Sequence, residues 1–263
     1  MCEVYRPLFL RDFPVVFTDL ESAEMIKYAA NAFLATKITF VNEIARLCER
    51  TGADIKAVSK GMGLDGRIGN KFLHAGPGYG GSCFGKDTAA LINIGTESGY
   101  EMKVAKATKQ VNEDQCARMV EKIRMALGDL KGKTIGLLGL AFKPNTDDIR
   151  DSPALAIAER LMKSGVTVRT YDPEALEESM KVLPDMISCQ DAYQAVEGAD
   201  AVVLVTEWNQ FRNLDFEQIR SKVKSPIFID LRNVYEPERM AEQGFYYVSV
   251  GRKTAGTNPL KPS

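Results

Sequence analysis

Histidine and tryptophan occur only once each in these 263 residues, as His74 and Trp208, and cysteine only five times. A single histidine excludes a multi-histidine metal site and leaves Ser-His-Asp or Cys-His catalysis one candidate base at most. Any chemistry must therefore lean on Lys, Asp, Asn or Cys. The cysteines, Cys2, Cys48, Cys83, Cys116 and Cys189, are scattered and never in C-x-x-C spacing. That argues against a disulfide framework or a zinc site and makes a reducing cytoplasm the default location. Excess charge is also missing: 34 Lys+Arg face 35 Asp+Glu, a formal net charge of −1, so there is no basic field to hold nucleic acid. No apolar run approaches the roughly 18 residues of a membrane helix. The opening LFLRDFPVVF is broken by Arg11, Asp12 and Pro14, so the sequence reads as having neither span nor signal peptide. What is present, 45% hydrophobic and 26% charged residues, suits a globular chain with a real core. Its length allows one large domain or two smaller ones, at about 100–200 residues per domain.

The texture changes halfway. Thr18-Asp19-Leu20-Glu21 reads as a capping box and Gly52 as a helix terminator. Between them Leu20, Ala23, Ile26, Ala30, Phe33, Leu34, Ile38, Val41, Ile44, Ala45 and Cys48 recur at helical spacing, which predicts one long helix, a central core element or a subunit interface. Asp54 predicts a short helix over 55–60. A glycine-rich loop runs from Gly61 to Gly85, and two further helices are expected over 87–98 and 102–127. Beyond the turn DLKGK, short β-branched runs alternate with helical patterns. Thr134–Leu140, Thr167–Tyr171, Ala201–Thr206 and Ile227–Leu231 read as buried parallel strands, with Tyr246–Val250 as a final one. This alternation is that of a doubly wound α/β sheet. The polar tail from Arg252 is expected to be loose.

The first strand ends in GLLGLAFKPNTDD rather than G-x-G-x-x-G, and no acidic residue stands clearly at the ribose-binding offset. The sheet still offers ligands the carboxyl ends of its strands, where Lys143, Glu207, Trp208 and Arg232 fall. Two cations there suit an anion such as a phosphate, or are ordinary loop residues. Cys83 is the sharper signal. It lies in a glycine-rich bend ahead of a helix, with Lys86 three residues on, features that lower a thiol pKa and favour the nucleophilic thiolate. The plain alternative is a small buried hydrophobe, the reading for Cys48 and Cys116. Lys27 and Asn31 are four apart on the long helix and interrupt its alanine-rich face. Together they form an oxyanion-stabilising pair if that face meets Cys83, and are otherwise solvated.

The runs KYAANAFLATKITFVNE, RIGNKFLHAGPGYGGSCFGKD and GLAFKPNTDDIRDSPAL resemble the central and C-terminal domains of the UDP-glucose 6-dehydrogenase family. The likeness covers nearly the whole chain. It implies an α/β fold in which an all-helical central dimerisation domain is followed by a Rossmann-like, doubly wound parallel sheet domain. The expected division is a linker over 1–17, the helical domain over 18–127, a UDP-binding domain over 128–251 and a tail over 252–263. The implied activity is the NAD-dependent oxidation of UDP-glucose to UDP-glucuronate in two hydride transfers. In it Cys83 forms a thiohemiacetal and then a thioester, Lys27 and Asn31 stabilise the oxyanion, and Asp87 activates water. The loop His74, Ala75, Gly76, Pro77, Gly78, Tyr79 and Gly80 would wrap the nucleotide sugar. Phe142, Lys143 and Arg232 would hold the UDP or sugar, and Arg67 would enter a neighbouring subunit's site. Cys83, Lys86 and Arg150 would face the NAD. The implied partners are UDP-glucose and a second copy, as a homodimer through the long helix or a higher oligomer, with no nucleic acid and no membrane.

Two departures stand out. Gly85 replaces the proline common in the cysteine segment of that family, which leaves the turn more flexible. The N-terminal NAD-binding domain with its G-x-G-x-x-G is absent from this sequence, so the chain is expected to be a fragment inactive alone. A non-catalytic UDP-sugar-binding dimerisation module and a GDP-mannose 6-dehydrogenase are the alternatives.

Overall fold

The computed structural model describes residues 15–261. Most of the expected linker over 1–17 lies outside them. The first half is helical: α1 (Leu20–Thr51), α2 (Ile55–Gly63), α3 (Phe84–Glu97) and α4 (Lys103–Leu127). α1 is capped by Asp19 rather than Thr18, the Asp19 carboxylate accepting from the Ser22 N–H at 2.7 Å. It ends at Gly52, whose φ of 80° is the left-handed conformation glycine adopts without a Cβ penalty. One face of α1 buries Ala32, Ala35, Val41, Ala45 and Cys48. The opposite face leaves Ile26, Phe33, Phe40 and Leu47 exposed, one every seven residues.

The second half alternates β1 (Thr134–Leu138), α5 (Pro153–Lys163), β2 (Thr167–Tyr171), α6 (Leu176–Val182), β3 (Ile187–Ser188), α7 (Ala192–Val196), β4 (Ala201–Leu204), α8 (Phe216–Lys222), β5 (Ile227–Asp230), α9 (Pro237–Glu242) and β6 (Tyr246–Ser249). All strand pairs are parallel, in the order β3-β2-β1-β4-β5-β6. Order reverses between β1 and β4, the point at which such sheets open a crevice at their carboxyl ends. Helices cover both faces, so β1, β4 and β5 are apolar without alternation. Ile135, Leu137, Leu138, Val202, Val203, Phe228 and Ile229 are fully buried, and each such side chain contributes about 1.5–3 kcal/mol. The short β3 and α9 carry too few apolar residues to show in the sequence pattern.

The tail is not loose. Arg252 is buried, its guanidinium held by the Tyr235 carbonyl, Asp54 and Glu236. Ala255 bridges Tyr247, and the Asn258 amide donates to the Ala126 carbonyl at the end of α4. These bonds satisfy backbone groups of both halves, so a polar composition here reflects hydrogen bonding rather than freedom. With Ile55 N–H on the Gly251 carbonyl and Gly251 N–H on Glu49, the tail ties the helices to the sheet.

Candidate active site

The glycine-rich loop between α2 and α3 runs along the junction of the two halves. Its peptides are held by amide side chains of the helices. Asn42 of α1 accepts from Gly76 N–H at 2.8 Å, and Gln115 of α4 donates to the Gly76 carbonyl at 2.8 Å. Asn112 grips both ends of the Tyr79 backbone, accepting from its N–H at 2.9 Å and donating to its carbonyl at 3.2 Å. None of these three was singled out from sequence. The available signal is an amide side chain at a helix position whose neighbours one turn away are core residues.

Past Tyr79 the loop presses on the β1–α5 connection. A Cβ on Gly80 would fall inside the Asp151 carbonyl oxygen and 2.9 Å from Pro153 Cδ. One on Gly81, whose φ is +80°, would meet the Phe142 ring at 2.8 Å. Gly81 N–H also donates to the Arg150 carbonyl at 2.8 Å. The glycines therefore bring the cysteine segment into backbone contact with the sheet.

Cys83 is exposed and is the N-cap of α3, which starts three residues earlier than the expected Asp87. The α3 amide dipoles converge on its position. Asp87 lies one turn along the same face, its N–H on the Cys83 carbonyl at 2.8 Å. Asn31 donates to the Asp87 carboxylate at 2.5 Å, and the Lys27 ammonium stands 3.9 Å from the same oxygen. The structure thus brings Lys27, Asn31 and Asp87 together where α1 crosses α3, one turn along from Cys83. Lys86 and Arg150 are exposed nearby. Arg150 is held above its ordinary pKa chiefly by its hydrogen bond to Asp148, and its carbonyl accepts from Gly81 N–H two residues before Cys83.

Beside this group opens a cleft of about 390 Å³, between the loop and the carboxyl ends of the strands. His74, Gly76, Gly78, Tyr79, Gly80, Phe142, Lys143 and Arg232, all expected from sequence, line it. So do Lys71, Phe72, Phe84 and Glu207. Phe84 stacks edge-on between Phe72 and Tyr79 at 6.0 and 5.8 Å. Tyr79 is buried and its phenol pushed up to about 12 by loss of water, so it stays neutral. Ala75 and Pro77 are buried in the loop behind these residues. The Lys143 ammonium lies over the Phe142 ring at 5.2 Å. Arg232 is oriented by the Val205 carbonyl at 2.7 Å and the Phe142 carbonyl at 3.3 Å, with Glu207 at 3.0 Å. Its own loop is fixed by buried Asp230, which accepts from the N–H groups of Arg232, Val234 and Tyr235 and from the Tyr247 hydroxyl. Arg67 stands apart, 90% exposed and paired with Asp65 at 2.6 Å, and lines no part of the cleft.

The carboxyl end of β1 does not fit the pyrophosphate of a dinucleotide. An acidic residue does end β2, although no such residue was clear from sequence, and it faces inward. Asp172 accepts from the N–H groups of Leu140 at 2.6 Å and Ala141 at 3.0 Å and from Trp208 Nε1 at 3.0 Å. Its second oxygen accepts from Glu174 and Ala175 N–H. The β1-loop amides that cradle a pyrophosphate in a dinucleotide fold are therefore already occupied by a carboxylate.

Two domain models match the chain: the central domain of the UDP-glucose/GDP-mannose dehydrogenase family at residues 21–114 and that family's UDP-binding domain at residues 136–237. The chain belongs to this family. Cys83 with its neighbours falls in the central-domain match, and Phe142, Lys143 and Arg232 fall in the UDP-binding match. The UDP-glucose 6-dehydrogenase of Rhizobium meliloti (strain 1021) is 51% identical over 96% of this chain and 58% of its own length. UDP-glucose 6-dehydrogenase TuaD of Bacillus subtilis (strain 168) is 48% identical over 98% and 56%. Among solved structures, a UDP-glucose dehydrogenase from the archaeon Pyrobaculum islandicum superposes with a TM-score of 0.85 at 37% identity, covering 96% of this chain and 55% of that one. GDP-mannose dehydrogenase from Pseudomonas aeruginosa gives 0.59 at 27%, covering 94% and 56%. The chain thus spans somewhat over half the length of the family members it matches.

Proposed function

We propose that this chain is the substrate-binding, thiol-bearing portion of an NAD-dependent UDP-glucose 6-dehydrogenase. The observation that carries this reading is the convergence of Lys27, Asn31 and Asp87 at the helix that Cys83 caps, beside a cleft with cations at the strand ends. Lys143 and Arg232 suit the diphosphate, and the loop from His74 to Gly80, pinned by Asn42, Asn112 and Gln115, offers close backbone approach to the nucleotide sugar. The division into a helical domain over 18–127, a UDP-binding domain over 128–251 and a tail over 252–263 belongs to the same proposal.

The Cys83 thiolate adds to the C6 aldehyde carbonyl, and the carbonyl π electrons move to oxygen. Lys27 and Asn31 donate to that oxyanion, where their stabilisation is greatest because charge has just developed. NAD, when bound, supplies the hydride acceptor for both oxidations. Once the thiohemiacetal has become a thioester, Asp87 takes a proton from water, whose oxygen attacks the acyl carbon. Cys83 leaves as thiolate and the sugar departs as a carboxylate. Holding the aldehyde covalently keeps it at the site between the two oxidations. Arg150 and Lys86, exposed in the segments around Cys83, are the residues of this chain assigned to the nicotinamide side, and Arg67 completes the site of a second copy.

The seven-residue spacing of exposed Ile26, Phe33, Phe40 and Leu47 supports a homodimer packed along α1, since that period is the one helices use to meet each other. No helix among the described residues is long and apolar enough to cross a membrane. A cytoplasmic location agrees with a working free thiol. Calorimetry tests the reading: UDP binds the 263-residue chain, GDP binds more weakly, and Arg232→Gln weakens UDP by about tenfold, the loss of one charge-assisted bond. Absence of UDP binding refutes it.

A further inference from the structure

A second cleft, of about 460 Å³, opens on the far side of the Gly76 loop between α1 and α4. Its walls are basic, with Arg46 and Arg50 from α1 and Arg118 and Lys122 from α4. The carboxylates in it are already used. Glu49 accepts from the Lys122 ammonium at 2.7 Å and from Gly251 N–H at 2.7 Å, and Glu121 pairs with Arg124 at 3.4 Å. Arg46 and Arg50 have no carboxylate within ion-pair distance among the described residues, and Arg118 donates to the Gln115 side-chain oxygen at 3.4 Å. Arg46, Arg50, Arg118 and Lys122 against Glu49 and Glu121 leave the concavity net positive. The planar guanidinium forks favour phosphate oxygens over a diffuse ion atmosphere.

The floor supplies a second, independent observation. Asn42 and Gln115 both line this cleft, at 3% and 2% exposure. These are the amides whose inner ends hold the Gly76 peptide. The Asn42 Nδ2 group has no partner among the described residues. That amide is therefore a donor open to an anion on the floor of the cleft. The volume is that of a small-molecule site, where pockets run to roughly 300–1,000 Å³.

We infer that the cleft between α1 and α4 binds a small phosphorylated anion through Arg46, Arg50, Arg118 and the Asn42 amide, separately from the nucleotide-sugar cleft. The bound group sits one side chain away from the loop that carries the substrate. The inference stands on this cleft alone and draws on the proposed function only to block the other site with UDP.

The test titrates the UDP-saturated 263-residue chain with pyrophosphate by calorimetry at low ionic strength. One pyrophosphate binds per chain, and the double variant Arg46→Gln/Arg50→Gln weakens it by about tenfold or more, the effect of losing charge-assisted hydrogen bonds. Neither side chain has a partner among the described residues, so the variant keeps its fold, checked by circular dichroism. Lys143→Gln leaves this binding unchanged, as does Arg239→Gln, an exposed arginine outside both clefts. Unaltered affinity in the double variant, equal loss in Arg239→Gln, or no pyrophosphate binding to wild type overturns the inference. If UDP itself fails to bind, the same titration without UDP still separates the two ideas. Loss in Arg46→Gln/Arg50→Gln with retention in Lys143→Gln supports this site while the proposed function falls.

Discussion

Adding one methyl group at residue 80 tests whether the cysteine segment is held against the sheet by backbone contact. The Ala Cβ at that position overlaps the Asp151 carbonyl oxygen and lies 2.9 Å from Pro153 Cδ. Carbon atoms pack best at about 3.5–4.0 Å, so Pro153 has to retreat by about 0.6 Å or more and the carbonyl further. Neither yields easily. Asp151 already holds a left-handed φ of 48°, and Pro153 is buried as the first residue of α5, behind the Ser152 cap. Overpacking of this kind costs about 1–3 kcal/mol. Gly85→Ala is the internal control. Its Cβ meets nothing nearer than Asp151 Oδ2 at 3.4 Å, and residue 85 lies in the first turn of α3. There alanine gains about 0.5–1 kcal/mol over glycine. Urea unfolding followed by helical circular dichroism and by the fluorescence of Trp208 reads both variants. With a slope of about 1–3 kcal/mol per molar urea, Gly80→Ala lowers the midpoint by about 1 M and Gly85→Ala raises it slightly. A Gly80→Ala midpoint equal to wild type, or an equal fall in Gly85→Ala, refutes the contact argument.

Asn42→Ala leaves the Gly76 N–H buried without an acceptor, so unfolding free energy falls by about 1–3 kcal/mol and UDP affinity falls with it, measured by urea titration and calorimetry. Phe33→Asp with Phe40→Asp places charges on the exposed seam of α1 and is expected to convert the proposed dimer to a monomer by analytical ultracentrifugation; an unchanged sedimentation profile removes the seam from the interface. Glu236, held below its ordinary 4.5 first by Lys56 and also by Arg252, ties α2 and the tail to the sheet. Because its pKa is lowered in the folded state, its contribution is present above pH 4.5 and is lost as the pH falls through the lowered value. Glu236→Gln flattens that part of the urea-midpoint profile against pH.

The long helix and the alternating half were legible because their apolar spacing is set by burial, and burial is what the pattern records. Leu137, Val203 and Ile229 read as buried strand, and buried they are. The grouping of Lys27 with Asn31 was legible from helical geometry, whereas their meeting with Asp87 is a tertiary fact that no local spacing contains. Asn42, Asn112 and Gln115 went unnoticed because polar residues on a helix usually face water; these face another segment's backbone. Asp172 was missed for a related reason. Its importance lies in which way the carboxylate turns, and a sequence offset has no direction. The tail misled by composition, since Arg252 and Asn258 are polar and buried.

Asp172 also bears on what the carboxyl end of β1 can accept. A carboxylate tethered in the chain loses little translational freedom on meeting the Leu140 and Ala141 amides, so it acts there as a ligand at very high effective concentration. A dissolved dinucleotide would have to displace it and then leave its charge buried beside Trp208. The sheet thus keeps the strand order of a cofactor-binding fold while carrying its own permanent competitive inhibitor at the cofactor's usual seat.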